Sequence, residues 1–168
     1  FYTEMLENVA DFQSRLAQQI GEQDIFSFSP KICGFIWFHG YADMYEPAYL
    51  AEYETNLANL VIDVRRDFGN PDLPVLFAET GGKGPDTDEE EELVLREIQE
   101  RVANSDGANT LFTRTAPYVT GFELYNETQT YDGDWHYFGR ADVVTRIGKA
   151  FATDMQTLLP GEDVLGLC

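Results

Sequence analysis

The amino-acid sequence predicts an α/β fold, a three-layer α/β/α sandwich in which a parallel sheet lies between two layers of helices. Three observations carry this expectation. Short continuous apolar runs, Gly34-Phe35-Ile36-Trp37-Phe38 and Pro74-Val75-Leu76-Phe77-Ala78, have the character of parallel strands buried on both faces. Apolar residues recurring every three or four positions mark amphipathic helices before, between and after those runs. The two kinds of segment alternate along the chain, and alternation demands right-handed crossovers that lay helices against the faces of one sheet. A chain of 168 residues, 43% apolar and 14% aromatic, can bury one sizeable core, so residues 1–168 are read as a single domain.

The first helix is carried by Met5, Val9, Phe12, Leu16 and Ile20, and Gly21 ends it. After a loop through Ser29-Pro30, residues 34–38 form the first strand. Leu50, Tyr53, Leu57, Leu60, Val64 and Phe68 make the stripe of a second helix, stopped by Gly69-Asn70-Pro71. Residues 74–79 form the second strand and Thr80-Gly81-Gly82-Lys83-Gly84-Pro85 its loop. The acidic run at 86–92 leads into a third helix with Val94, Ile98 and Val102 on its apolar stripe. Negative charge there suits the helix macrodipole, and the spaced donors and glycine of a calcium loop are absent. Residues 110–115 read as the third strand, and a loop rich in Tyr, Thr and Gly follows. The last helix uses Val144, Ile147, Phe151, Met155 and Leu158 before Pro160-Gly161.

Charge excludes some partners. With 30 acidic against 11 basic side chains, the net charge of -19 repels phosphate backbones and anionic lipid surfaces, so nucleic acid and membrane surfaces are not expected partners. No apolar run approaches the roughly 20 residues that cross a bilayer. The start at Phe1-Tyr2-Thr3-Glu4 has neither an initiator Met nor a signal-like segment, which suggests a truncated or processed chain. Asn126-Glu127-Thr128 makes Asn126 a glycosylation candidate, in keeping with an expected extracellular or secretory location. Cys33 and Cys168 leave two readings open, a disulfide joining them or a buried free thiol at Cys33.

Two clusters hold the only histidines. The strand ending at Phe38 delivers His39, Gly40 and Asp43 into one turn, and Asp132-Gly133-Asp134-Trp135-His136-Tyr137 brings a second imidazole after two carboxylates. Open α/β sheets keep their chemistry beyond the carboxyl ends of the strands, where His39, the loop at 79–84 and His136 are expected to converge. His136 suits the general base of a nucleophilic hydrolase, with Asp132 or Asp134 orienting it; a helix-capping or packing role beside Trp135 and Tyr137 is the alternative. His39 can aim a ring N–H at charge developing on a substrate oxygen, or can be structural. No His-x-x-x-His or cysteine pair has metal-ligand spacing, so no metal is expected. Gly81-Gly82-Lys83-Gly84 lacks the full phosphate-loop pattern, and no nucleotide site is expected.

At these residues the sequence resembles the sialate O-acetylesterase group of carbohydrate esterases, SGNH-type serine hydrolases close to carbohydrate esterase family 6. The start of the chain, through Met5-Leu6, is similar to the family's Tyr-Tyr-x-x-Met-Leu helix start. Gly34-Phe35-Ile36-Trp37-Phe38-His39-Gly40-Tyr41-Ala42-Asp43-Met44 resembles its Gly-Phe-x-Trp-x-Gln-Gly-x-x-Asp-Met block. Tyr53, Asn56, Leu57, Asn59, Leu60, Asp63, Arg65 and Arg66 resemble its Tyr-x-x-Asn-Leu-x-x-Leu-x-x-Asp-x-Arg helix, and Leu73-Pro74-Val75 its next strand. His136-Tyr137-x-Gly139-x-Ala141 with Ile147-Gly148-Lys149-Ala150 is similar to its final histidine block.

The resemblance implies an SGNH-type, flavodoxin-like α/β/α fold, no metal or organic cofactor, removal of acetyl groups from carbohydrate, and His136 as the base. The sequence departs from the family pattern in three places. The glutamine that donates to the oxyanion hole is His39 here. The Asp-x-x-His spacing fails because Gly133 stands three residues before His136, between Asp132 and Asp134. The Gly-Asp/Gln-Ser block carrying the nucleophile is absent, and Ser14, Ser27, Ser29 and Ser105 lie in the wrong context. The expectation is therefore the C-terminal part of an esterase domain whose N-terminal strands are missing from this chain, with an N-terminal fragment as partner and acetylated carbohydrate as substrate. The rival is a non-catalytic relative serving glycan binding or assembly.

Overall fold

The structure, a computed structural model, describes residues 2–21, 31–80, 84, 89–107, 109–118, 137 and 139–159. Four helices and three strands follow one another as α1 (Tyr2–Gly21), β1 (Phe35–Trp37), α2 (Pro47–Asp67), β2 (Val75–Ala78), α3 (Glu90–Ser105), β3 (Thr110–Thr113) and α4 (Ala141–Leu158). The strands pair in parallel in the order β1-β2-β3, with Phe35 opposite Val75, Val75 opposite Thr110 and Phe77 opposite Phe112. Right-handed crossovers that advance in one direction across a sheet leave their helices on one face, and α2 and α3 do pack together there.

The side-chain alternation of strands sorts the residues between the layers. Phe35, Trp37, Val75, Phe77 and Phe112 join Tyr53, Leu57 and Val61 of α2 and Leu95, Ile98 and Val102 of α3 in the main core. The opposite face is covered by α4, which packs on β2 and β3. The β1 part of that face is only partly covered: Ile36 is 42% exposed and Phe38 39%. The expectation of a first strand buried on both faces is corrected there, because α4 reaches past β2 mainly at its ends, through Met155 beside Gly34 and Phe151 beside Phe38.

The helix stripes differ from the periodicity in detail. In α4 the buried residues are Val143 and Ile147, while Val144 is exposed. In α3, Leu95 replaces Val94 on the inner face, and Glu92, Arg96 and Gln99 are buried beside it. The acidic start of α3 is thus only partly a solvated face. Helix α1 is amphipathic, but Phe12 stays 61% exposed and its other stripe residues are half-buried. Its N-terminus is tied to the end of α2 by Tyr2, whose hydroxyl donates to Asp67 Oδ2 at 2.9 Å.

The end of α2 follows from its sequence. Gly69, at φ 67, carries the chain out of the helix while its N–H donates to the Arg66 carbonyl and the Asn70 N–H to that of Arg65. This six-to-one and five-to-two pair satisfies the last carbonyls. Arg65 then bonds the Leu73 carbonyl at 3.1 Å, Asp106 Oδ1 at 3.0 Å and Thr110 Oγ1 at 3.3 Å, fastening the amino ends of β2 and β3. Cys33, half-buried just before β1, is disulfide-bonded, which removes the free-thiol reading; Cys168 lies outside the described residues. No helix among the described residues is long and apolar enough to cross a membrane.

Candidate functional site

The chain leaves β1 through Phe38 and His39 and bends at Gly40, where φ is +133. A Cβ at Gly40 would lie 2.8 Å from the Tyr53 hydroxyl, so both the backbone angle and the close approach require glycine. The Gly40 carbonyl accepts the N–H groups of Asp43 and Met44 at 3.0 and 3.3 Å, opening a single 3-10 turn over Asp43–Tyr45 that buries Met44 in the core. The turn leaves the His39 side chain 58% exposed, with Nδ1 3.5 Å from Asp43 Oδ2. That oxygen is buried and accepts no hydrogen bond among the described residues.

The His39 carbonyl points inward. It accepts from the Tyr53 hydroxyl at 2.8 Å and Gln99 Nε2 at 3.0 Å, with Thr80 Oγ1 at 3.4 Å. Burial pushes the Tyr53 phenol above its ordinary pKa, against a hydrogen bond from Gln99 that pulls it down, so it remains a donor at neutral pH. Gln99, 1% exposed, also accepts the Thr80 N–H at 3.0 Å. The turn after β1 and the loop after β2 are therefore joined through one side chain of α3.

Two more buried polar groups shape this end of the sheet. Arg96 donates to the carbonyls of Thr80 and Gly84, both at 2.9 Å, and pairs with the fully buried Glu92 one turn earlier. Its guanidinium spans the two ends of the loop at 80–84. Glu79, 3% exposed at the exit of β2, accepts the N–H groups of Thr115 and Ala116 at 3.0 and 2.8 Å. It thereby fixes the path leaving β3, which turns through a short 3-10 helix at Ala116–Tyr118.

Beyond that path, Tyr137 returns to the sheet. Its ring stacks on Phe38 with centroids 6.3 Å apart and planes 11° from parallel, and it packs with Val143 and Ile147 of α4. Its φ of 54 is the left-handed value that a tyrosine adopts only when its surroundings enforce it. On the α2 side of His39 a cavity of about 280 Å³ is lined by Trp37, Asp43, Tyr49, Glu52, Tyr53 and Asn56, together with Tyr2 and Met5 of α1. No group of three or more His, Cys, Asp or Glu side chains among the described residues could hold a metal ion.

A model of the family described as carbohydrate esterase, sialic acid-specific acetylesterase matches residues 1–157. The chain belongs to this family. No curated protein and no solved structure matches it. In this member of the family, the sheet and turn bring together His39, Gly40, Asp43 and the loop that starts at Thr80. His136, Asp132, Asp134 and Asn126 lie outside the described residues, as do Gly81, Gly82 and Lys83. Sequence reasoning did not single out Gln99, Arg96 and Glu92, because polar residues on a helix read as its solvent face. The spacing of Glu92 and Arg96 is an ion-pair signal, but nothing local marks that pair as buried. Glu79 stood at a strand end without an assigned role.

Proposed function

We propose that this member of the family is the histidine-bearing part of a serine O-acetylesterase acting on acetylated carbohydrate. The observation that carries the reading is the stack of Phe38 on Tyr137, since Phe38 immediately precedes His39 and Tyr137 immediately follows His136. Adjacent Cα atoms are about 3.8 Å apart, so this contact supports a common cleft for the two imidazole segments. Backbone strain at Tyr137 is of the kind that gathers beside reacting groups.

In this reading a serine supplied by polypeptide beyond the 168 residues attacks the acetyl carbonyl. His136 takes the serine proton and returns it to the departing sugar hydroxyl. Water then attacks the acetyl-enzyme, His136 takes the water proton, and acetate and free serine are released. Asp132 or Asp134 holds the imidazole, while Gly40 and His39 line the oxyanion position. Trp37 and Tyr49 offer aromatic surface to a sugar ring, and Asp43, Glu52 and Asn56 offer acceptors and donors to its hydroxyls. The partly open β1, with Ile36 exposed, supports a further segment alongside it, and the whole is expected outside the cell or in the secretory pathway.

A second reading, glycan binding without hydrolysis, is favoured by His39 standing where the family pattern has glutamine. Acetate release from an acetylated sugar by the full-length protein separates the two. The esterase reading expects turnover that falls about a thousandfold in His136→Ala, within the range of a lost general base. Equal rates in both proteins refute it, and sugar binding without turnover selects the second reading.

A further inference from the structure

We infer that Gln99, buried on α3 and far from any role as a reacting group, is a positioning residue that aims the Gly40 N–H at the oxyanion position. The inference rests on the esterase reading above.

The argument begins with the Gln99 amide, whose orientation is fixed by chemistry. Its Oε1 takes the Thr80 N–H at 3.0 Å, which can only donate, and its Nε2 gives to the His39 carbonyl at 3.0 Å, which can only accept. The same nitrogen lies 3.0 Å from Thr80 Oγ1 and 3.3 Å from the Tyr53 hydroxyl. Tyr53 adds its own bond to the His39 carbonyl at 2.8 Å. That carbonyl is therefore held from the core by two well-formed donors on two different helices.

A peptide unit is planar, and in the trans form its C=O and N–H point in opposite directions. The His39–Gly40 peptide is trans, as are all the described peptides. Fixing the His39 carbonyl inward consequently fixes the Gly40 N–H outward, away from Tyr53 and Gln99. Gly40 is a buried residue, and its N–H has no hydrogen-bond partner among the described residues. An N–H left unpaired on a residue this enclosed is costly unless water or a ligand completes it. An oxyanion hole needs this arrangement: a donor held in place before charge develops, costing no reorganisation during reaction.

The test uses the full-length protein with Gln99→Met, which keeps length and apolar bulk but removes both amide bonds, and Tyr53→Phe, which removes one donor and keeps the ring. Losing one oxyanion donor outright costs about 100- to 1000-fold in kcat. A misdirected donor is expected to cost about tenfold or more in Gln99→Met and less in Tyr53→Phe, with KM unchanged in both. The Gly40 amide cross-peak in a proton–nitrogen spectrum is a second readout, expected single and sharp in the parent and shifted or broadened in Gln99→Met. If Gln99→Met does not fold, Tyr53→Phe decides by the same two measurements. Folded variants that keep kcat within twofold while His136→Ala abolishes turnover overturn the inference and leave the esterase reading standing. A protein without turnover refutes the esterase reading instead, and the Gly40 cross-peak then decides alone whether Gln99 holds the peptide.

Discussion

Replacing Gly40 with alanine adds one methyl group at the tightest point of the site. That Cβ would stand 2.8 Å from the Tyr53 hydroxyl, 3.1 Å from Tyr53 Cζ and 3.2 Å from Leu95 Cδ2, and the backbone would still have to hold φ at +133. Strain in that region costs about 1–3 kcal/mol for a residue with a side chain. Overpacking a filled core costs about 1–3 kcal/mol more, and displacing Tyr53 breaks a bond to the His39 carbonyl worth about 1 kcal/mol. These terms share one relaxation, so the sum is about 4 kcal/mol, a large part of the roughly 5–15 kcal/mol that holds an ordinary domain. With a urea slope of about 2 kcal/mol/M, the unfolding midpoint falls by about 2 M. Gly148→Ala is the internal control, since nothing lies within 4 Å of its added Cβ on α4. Better helix propensity there stabilises by about 0.5–1 kcal/mol. Equilibrium urea unfolding of the full-length protein followed by circular dichroism reads both shifts. A Gly40→Ala midpoint equal to that of the parent refutes the claim that Gly40 and Tyr53 are in forced contact.

Two further outcomes follow from buried and tethered groups. Arg96→Met leaves the fully buried Glu92 without its cation and is expected to cost about 3–5 kcal/mol, whereas adding Glu92→Met to it recovers most of the loss; a urea double-mutant cycle that finds no coupling contradicts this. The Tyr2 phenol is pushed up to about 12 by burial first and by its bond to Asp67 next, so the native state holds a proton that the unfolded chain gives up near the ordinary value of 10. The tether of α1 to α2 is then fully present below pH 10 and lost as pH rises through about 12, which ultraviolet tyrosinate titration should show as a late step missing in Tyr2→Phe.

The order of elements was legible because each strand and helix announces its own period. The first strand, the turn at 39–44 and the stop at Gly69 all arise from neighbours in sequence, and the structure has them where the pattern expects them. The inner face of α3 was not legible for the opposite reason. Arg96 and Gln99 are buried because their partners, the carbonyls of Thr80, Gly84 and His39, come from loops 12 to 60 residues away, and Glu92 is buried as the ion-pair partner of Arg96. A hydrophobicity count assigns such side chains to solvent, and only the fold supplies the carbonyls that satisfy them. The exposed Val94 and Val144 are the same error seen from the other side: each lies one position from the residue that packs inward.

The buried polar residues are also unevenly distributed, and the pattern bears on function. All of those found among the described residues except Thr110 belong to the carboxyl end of the sheet or to α3 beside it: Glu79, Thr80, Glu92, Arg96, Gln99, Thr113 and Thr115. A polar group removed from water gains little stability even when bonded, and loses much when it is not. Apolar side chains would therefore hold this end together at least as well, as they do in the core between β2, α2 and α3. What hydrogen bonds add is direction. Glu79 sets the path leaving β3, Arg96 spans the loop after β2, and Gln99 joins that loop to the turn after β1, so three strand exits are oriented through groups with fixed bonding geometry. A sheet that needed only to fold would not need its exits aimed, whereas the site proposed above, assembled from several loops, would.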